Sequence, residues 1–334
     1  MAERFVHQVA TYCGERSFLD IAVPFCEDGI RRGEPVLAIT TQANLELLGE
    51  ALGDRAGLLD YGESAYLGRR THERTAAYLR YWRRRRRDTP RGRVRVLSEP
   101  MWAGRSERER IAWHRMEAGL NVLLAGTDIW MLCPYDTRAS SREVLDNALR
   151  THPHTIGGGH EPAANERFTG TERFIERCDA AVPLAVPPKG TPAAILTSLS
   201  ALREYTTERA AELGLYGERA GLLTVAANEM AVFLAMGDSD PLTVRIWDRF
   251  GGVTCELRRR GEREVDPLSG YCPPGPRPSP GDGVWLARQL CDSLEIRSRD
   301  GLCVVQLNVP GARAEEARRG AGFALAVEMG MVVE

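Results

Sequence analysis

Two short runs without a polar residue, Pro35-Val-Leu-Ala-Ile39 and Ile129-Trp-Met-Leu-Cys133, place the tightest constraint on how this 334-residue chain can fold. A strand that is apolar on both faces is buried on both, which calls for a parallel sheet with helices above and below it. The neighbouring segments supply those helices and more strands. Phe5 to Tyr12 alternates as a strand, and Phe18 to Arg32 repeats its apolar residues at helical spacing until Gly33. Asn44 to Leu52 and His72 to Arg87 read as helices, and Leu58 to Tyr61 as a weak strand between them. Arg91-Gly-Arg-Val-Arg-Val-Leu97 alternates basic and apolar residues, Ser106 can cap a helix running to Ala125, and Ser140 to Arg150 is another helix. Residues 1–172 therefore read as an α/β domain with a mainly parallel sheet.

The texture then changes. Val182-Pro-Leu-Ala-Val-Pro-Pro-Lys-Gly190 has prolines and no period, so residues 173–192 read as a linker. In residues 193–312, Leu196 to Leu213 and Leu222 to Glu229 are helical. Thr243 to Trp247 and Val253 to Leu257 form an antiparallel hairpin. A Pro/Gly-rich stretch, Asp266 to Pro280, leads into Gly281-Asp-Gly283 and a helical pattern to Leu290. Leu294 to Ser298 and Cys303 to Val309 are two more strands, and residues 313–334 a C-terminal extension.

A formal charge of -2 gives no push toward nucleic acid or membrane. The strongest charge run, Arg83 to Arg87, ends a helix, where cations suit the dipole, and reads as a solvated face. Met1-Ala-Glu-Arg-Phe lacks the pattern of a signal peptide and no run has transmembrane length, so a cytoplasmic location is expected. The eight cysteines form no Cys-x-x-Cys pair and no cluster of metal spacing; they read as reduced core thiols, and no metal site is expected. No Gly-x-x-x-x-Gly-Lys-Ser/Thr loop is present, so the first half is not expected to hydrolyse nucleotide.

Glu99-Pro-x-Trp102, Cys133-Pro-Tyr-Asp136 and Thr151-His-Pro153 make the first half resemble the MEDS sensory domain of methanogens and methylotrophs, with a RecA/KaiC-like three-layer sheet. The resemblance implies sensing of a small molecule without naming it. Glu99, Trp102, Tyr135, Asp136 and His152 all follow regular elements, and open α/β sheets bind ligands at the carboxyl ends of their strands. These five residues are expected to line one pocket with an aromatic wall and a few polar groups.

The order of boxes in residues 190–310 resembles the GHKL ATP-binding domain of anti-sigma-factor serine kinases, in the subfamily common in actinobacteria. That implies an α/β sandwich with a mixed, mainly antiparallel sheet, a homodimer, and a sigma factor or anti-sigma antagonist as partner. In that family a helix carries Asn-Glu-x-x-x-Asn, with the Glu as general base and the second Asn as Mg²⁺ ligand. Here Asn228 and Glu229 match, whereas Phe233 stands at the metal-binding position. Arg259 stands where an Asp should read the adenine amine, with Gly261 alone left of that glycine box. Gly281 and Gly283 keep the phosphate-binding glycines at a helix N-terminus. Binding of ATP and Mg²⁺ is thus expected to be weak or lost. Three readings remain open: a regulator that binds its partner stoichiometrically, a working serine/threonine kinase with a rebuilt metal site, or a small-molecule sensor acting through its own oligomeric state.

Overall fold

A computed structural model describes residues 5–64, 71–88, 93–158, 161–235, 241–249, 252–261, 265–275, 279 and 281–311. The C-terminal extension and the end of the proline-rich stretch, residues 276–278 and 280, lie outside them. The chain divides into two compact units, Met1–Pro183 and Leu184–Glu334. The architecture is mixed α/β, with a parallel-rich sheet in the first unit and an antiparallel one in the second.

The first unit runs β1 (Val6–Tyr12), α1 (Glu15–Arg32), β2 (Val36–Thr40), α2 (Gln42–Leu52), a 3₁₀ turn (Gly53–Leu58), β3 (Asp60–Glu63), α3 (Thr71–Asp88), β4 (Val94–Ser98), α4 (Glu107–Leu123), β5 (Ile129–Asp136), α5 (Arg142–Thr151), β6 (His154–Ile156), β7 (Pro162–Ala164) and α6 (Thr171–Ala181). Its strands are ordered β3-β2-β4-β5-β1-β6-β7, parallel except for the last pair. β2 and β4 are buried at every position, as their place between other strands requires. Tyr12, Leu97, Trp130 and Leu132 pack on one face against Phe18, Phe25 and Leu48 of α1 and α2. The other face meets α3 and α4, where Ser98 bonds to Tyr78, Tyr135 to Glu117 and His7 to Asn121. Thr41, Ser106 and Ser141 cap α2, α4 and α5, and Ser106 with Glu109 forms a reciprocal capping box.

One boundary changes here. Residues 173–181 belong to α6 and not to a linker, because Phe174, Ile175 and Cys178 are buried and Asp179 accepts from Arg115 Nε at 2.8 Å. In the basic alternation before Ser98, Arg95 is only 1% exposed. Within the Arg83 to Arg87 run, Arg83, Arg84 and Arg87 are exposed as a solvated face requires, whereas Arg85 bonds to Asp60 and Arg86 Nε lies 3.1 Å from Asp128.

The second unit contains β8 (Ala193–Leu196), α7 (Leu199–Glu212), α8 (Gly217–Phe233), β9 (Leu242–Arg249), β10 (Gly252–Arg260), α9 (Asp282–Leu290), β11 (Ser293–Arg299) and β12 (Leu302–Pro310). The order β11-β12-β10-β9-β8 is antiparallel at every described pair. Strand alternation puts Val253, Cys255 and Leu257 into a core with Leu223, Met230 and Val284 of the helices. Glu256 faces the other way, accepts from Arg258 Nε at 2.6 Å and from Gln306 Nε2 at 2.8 Å, and is fully buried. Gln306 also grips the backbone of Ala185 in both directions, at 2.7 and 2.8 Å, so the chain just after the unit boundary is pinned to β12. No helix of the described residues is long and apolar enough to cross a membrane.

The described part of the proline-rich stretch packs on α9. Leu268 and Tyr271 are buried, and the Arg288 guanidinium lies 4.4 Å from the Tyr271 ring centroid. Gly270 makes this possible. It has φ 76°, and a Cβ there would sit 2.7 Å from Val284 Cγ1 and 2.8 Å from the Val284 carbonyl carbon. Gly270→Ala is therefore expected to cost about 2–4 kcal/mol, overpacking added to a left-handed penalty. Gly214, with φ 79° and open space around it, gives the control. Its alanine variant should lose only about 1 kcal/mol by urea denaturation, and equal losses at the two sites would refute the packing argument.

Candidate functional site

Glu99 follows β4 at the carboxyl edge of the parallel sheet and is 5% exposed. Its carboxylate accepts from Tyr12 OH at 2.5 Å, from Thr40 Oγ1, and from Asn44 Nδ2 at 2.9 Å. The ends of β1 and β2 and the start of α2 thus converge on one carboxylate whose partners are all neutral. Burial, and then the charge and hydrogen bond of Glu99, push the Tyr12 hydroxyl well above its ordinary range.

Trp102, Tyr135 and His152 come together on the opposite face, under α4. Trp102 stacks on His114 with ring centroids 4.7 Å apart and on Tyr135 at 6.2 Å, and Tyr135 meets His152 edge-on at 6.0 Å. Asp136 does not join them. Side chains alternate along a strand, so Tyr135 and its neighbour face opposite sides of the sheet. Asp136 instead holds Arg138 through a 2.8 Å contact to Nη2, and that hydrogen bond keeps its carboxyl below the usual range. The five expected residues therefore fall into two groups, Glu99 and Asp136 apart from the three rings.

Four residues that the sequence did not single out complete the aromatic cluster. Glu117 of α4 accepts from Tyr135 OH at 2.7 and 2.8 Å and from Trp113 Nε1 at 3.1 Å, and His114 Nδ1 lies 3.6 Å away. Burial opposes charge on Glu117, but these neighbours and His152 outweigh it and hold the carboxyl below its ordinary value. His7 of β1 lies against His152, ring centroids 3.9 Å apart, with Nε2 3.6 Å from Cys133 Sγ. Burial and then the Glu117 charge push the Cys133 thiol up; burial and then His152 pull His7 down. Among the described residues, Trp102 Nε1, His114 Nε2 and His152 Nε2 are buried without a hydrogen-bond partner. Buried polar groups are otherwise nearly always paired, so these atoms set the cluster apart from ordinary core packing.

In the second unit, Glu229 of α8 lies against the start of α9. A Cβ on Gly283 would fall 2.6 Å from Glu229 Oε2, so only a glycine lets that carboxylate approach. Gly281 is the N-cap of α9, and Asp282 turns back to accept from Ser279 N at 2.9 Å and Ser279 Oγ at 2.8 Å. Glu229, Gly281 and Gly283 are thus brought together. Asn228 is not part of that group; its Oδ1 accepts from Arg203 Nη1 of α7 at 3.0 Å. Phe233 is 8% exposed and packs in the hydrophobic core. Arg259 lies on β10 opposite Cys303 of β12, and Gly261 follows the strand with φ 138°.

No curated protein matches the chain. Residues 6–153, which carry both clusters of the first unit, match the family model MEDS, the methanogen/methylotroph, DcmR sensory domain, and a sensory role in regulation is what that match supports.

Proposed function

We propose that this chain is a cytoplasmic regulator in which the first unit senses a small molecule and the second, anti-sigma-kinase-like unit binds a protein partner stoichiometrically. The observation that carries the second half is the burial of Phe233 one helical turn beyond Glu229. A phenyl ring in a packed core supplies no ligand for the cation that would bridge nucleotide phosphates. Two further features support the same reading. Arg259 offers only donors where an adenine amine needs an acceptor. The carboxylates of Glu229 and Asp282 both stand at the N-terminus of α9, where a phosphate would have to bind. The residues therefore do not fit Mg·ATP.

The partner implied is a sigma factor or an anti-sigma antagonist, and a homodimer is the expected assembly. An apolar groove of about 420 Å³ between α7 and α8 agrees with an assembling surface; Tyr216 and Val225, at 68% and 45% exposed, stand on its rim. The alternative, an active serine/threonine kinase, keeps one point in its favour: Glu229 remains beside Gly283 at the start of α9. Calorimetry on the full chain separates these readings. Titration with Mg·ATP is expected to give no saturable heat at micromolar nucleotide, whereas a magnesium-dependent micromolar Kd would replace the partner-binding reading with the kinase one.

A further inference from the structure

We propose that His7, Cys133 and His152 together bind a zinc ion inside the first unit. Their side-chain ligand atoms all lie within 4.8 Å of one another, and all three residues are buried. Zinc takes imidazole nitrogens at about 2.0–2.1 Å and thiolate sulfur at about 2.3 Å, which in a tetrahedron sets nitrogen and sulfur about 3.5 Å apart. The observed separation of His7 Nε2 from Cys133 Sγ is 3.6 Å. The pair already has the spacing of two ligands on one ion.

The hydrogen bonds outside the cluster aim both imidazoles at that point. Asn121 Nδ2 donates to Thr151 O at 2.8 Å and to Ala118 O at 3.1 Å, so its Oδ1 is free to accept. His7 Nδ1, 3.0 Å from that oxygen, is then the N–H, which leaves the lone pair on Nε2 facing Cys133. His152 Nδ1 lies 2.7 Å from the Ala148 carbonyl, which can only accept, so its lone pair is also on Nε2. That nitrogen is fully buried and has no hydrogen-bond partner among the described residues. Metal-binding histidines are held in this way, the remote nitrogen donating to a carbonyl or a side-chain oxygen. A Cys133 S–H donating to His7 Nε2 would explain the His7 tautomer, but it leaves the orphaned Nε2 of His152 unexplained.

Charge is provided for as well. Cys133 becomes a thiolate and gives up its proton when zinc binds. Glu117, in electrostatic contact with both Cys133 and His152, adds a second negative charge nearby. Soft sulfur with two imidazoles selects a borderline-soft d¹⁰ cation over magnesium or calcium. Three protein ligands leave the fourth position open, as in zinc sites that accept water or a small donor.

The test uses the full chain produced without a metal-binding tag in zinc-supplemented medium, because the buried ligands favour loading during folding. Elemental analysis is expected to give close to one zinc per chain, and Cys133→Ala and His152→Gln to lower that content at least tenfold. Cys26→Ala, which removes a buried thiol on the other face of the sheet, should leave it unchanged. Protein made in cobalt-supplemented medium should show an intense near-ultraviolet thiolate-to-cobalt band that Cys133→Ala abolishes. Wild-type protein that is folded by circular dichroism yet carries less than a tenth of an equivalent of zinc overturns the proposal. So does a full equivalent that persists in folded Cys133→Ala.

Discussion

Arg95→Met is expected to cost about 3–5 kcal/mol, the usual penalty for removing one member of a buried ion pair. Arg95 Nε donates to Glu34 at 2.6 Å, Nη2 bonds to Asp28, and Nη1 donates to the Phe25 carbonyl at 3.0 Å. Its guanidinium also lies 4.4 Å from the Trp130 ring centroid. The arginine side chain is 2% exposed, and those of Glu34 and Asp28 are 10% and 18% exposed, so water cannot take over its role. Methionine fills most of the volume but strands two carboxylates. For a unit of this size the loss corresponds to a fall in Tm of roughly 10 °C. The double variant Arg95→Met with Glu34→Met should recover more than half of the loss, because Asp28 keeps its bonds to Arg31 and Arg32 whereas Glu34, 10% exposed, would otherwise lose its 2.6 Å pair with Arg95. A loss below about 1 kcal/mol in the single variant would mean that desolvation cancels the attraction even with one partner gone.

The same triad sets an acid-side dependence. Burial raises the Asp28 carboxyl, but the hydrogen bond from Arg32 and the charge and hydrogen bond of Arg95 outweigh it, so its folded value lies below the ordinary one. The stability this contributes is fully present above the unfolded value of about 3.9 and is lost as pH falls through the lower folded value. Stability of wild type should therefore fall more steeply than that of Arg95→Met on acidification below about pH 4. Parallel curves would show that Arg31 and Arg32 alone hold the carboxylate.

Arg95 also shows where reading the sequence stops. Alternation along β4 does put Arg93 and Arg95 on one face, as the basic pattern predicts. Whether that face meets water depends on α1, whose Asp28 and the following Glu34 supply counter-charge from far away in the chain. Features that depend on neighbouring residues alone were legible: the apolar runs of β2 and β5, the Ser106 cap, and the hairpin of β9 and β10. β6 and β7 are three residues each, too short to show a period. The aromatic cluster was half legible. Trp102, Tyr135 and His152 were drawn from motifs, but Asp136 was grouped with Tyr135 although strand geometry separates adjacent side chains. His7 and Glu117 gave no local signal and Cys133 stood in its motif without a role, since β1, β5 and α4 bring the three together only through the strand order and the helix placed over it.

Glu117→Ala is expected to lower stability by at least about 4 kcal/mol, although the sequence offers nothing that distinguishes this residue from an ordinary acidic group on a helix. Two effects add. The buried carboxylate leaves a cavity of two carbons and two oxygens, and truncations of that size in cores cost about 2 kcal/mol or more. It also strands Tyr135 OH and Trp113 Nε1, each at about 1–3 kcal/mol when left without an acceptor. Glu117→Gln should cost less, about 1–2 kcal/mol, because a carbonyl oxygen at the Oε1 position still accepts from both Tyr135 and Trp113, while the amide at the Oε2 position faces His114. Tyr135→Phe removes one of the stranded donors, so the pair should be strongly coupled. The double variant is expected to lose at least about 1 kcal/mol less than the sum of the two single losses, as contacting residues in one network do. Additive losses in that cycle, measured by urea denaturation, would mean that Tyr135 finds another acceptor and that Glu117 acts only by filling space. A small loss from Glu117→Ala would go further, showing that the polar cluster under α4 is open to water and is not the enclosed site its geometry implies.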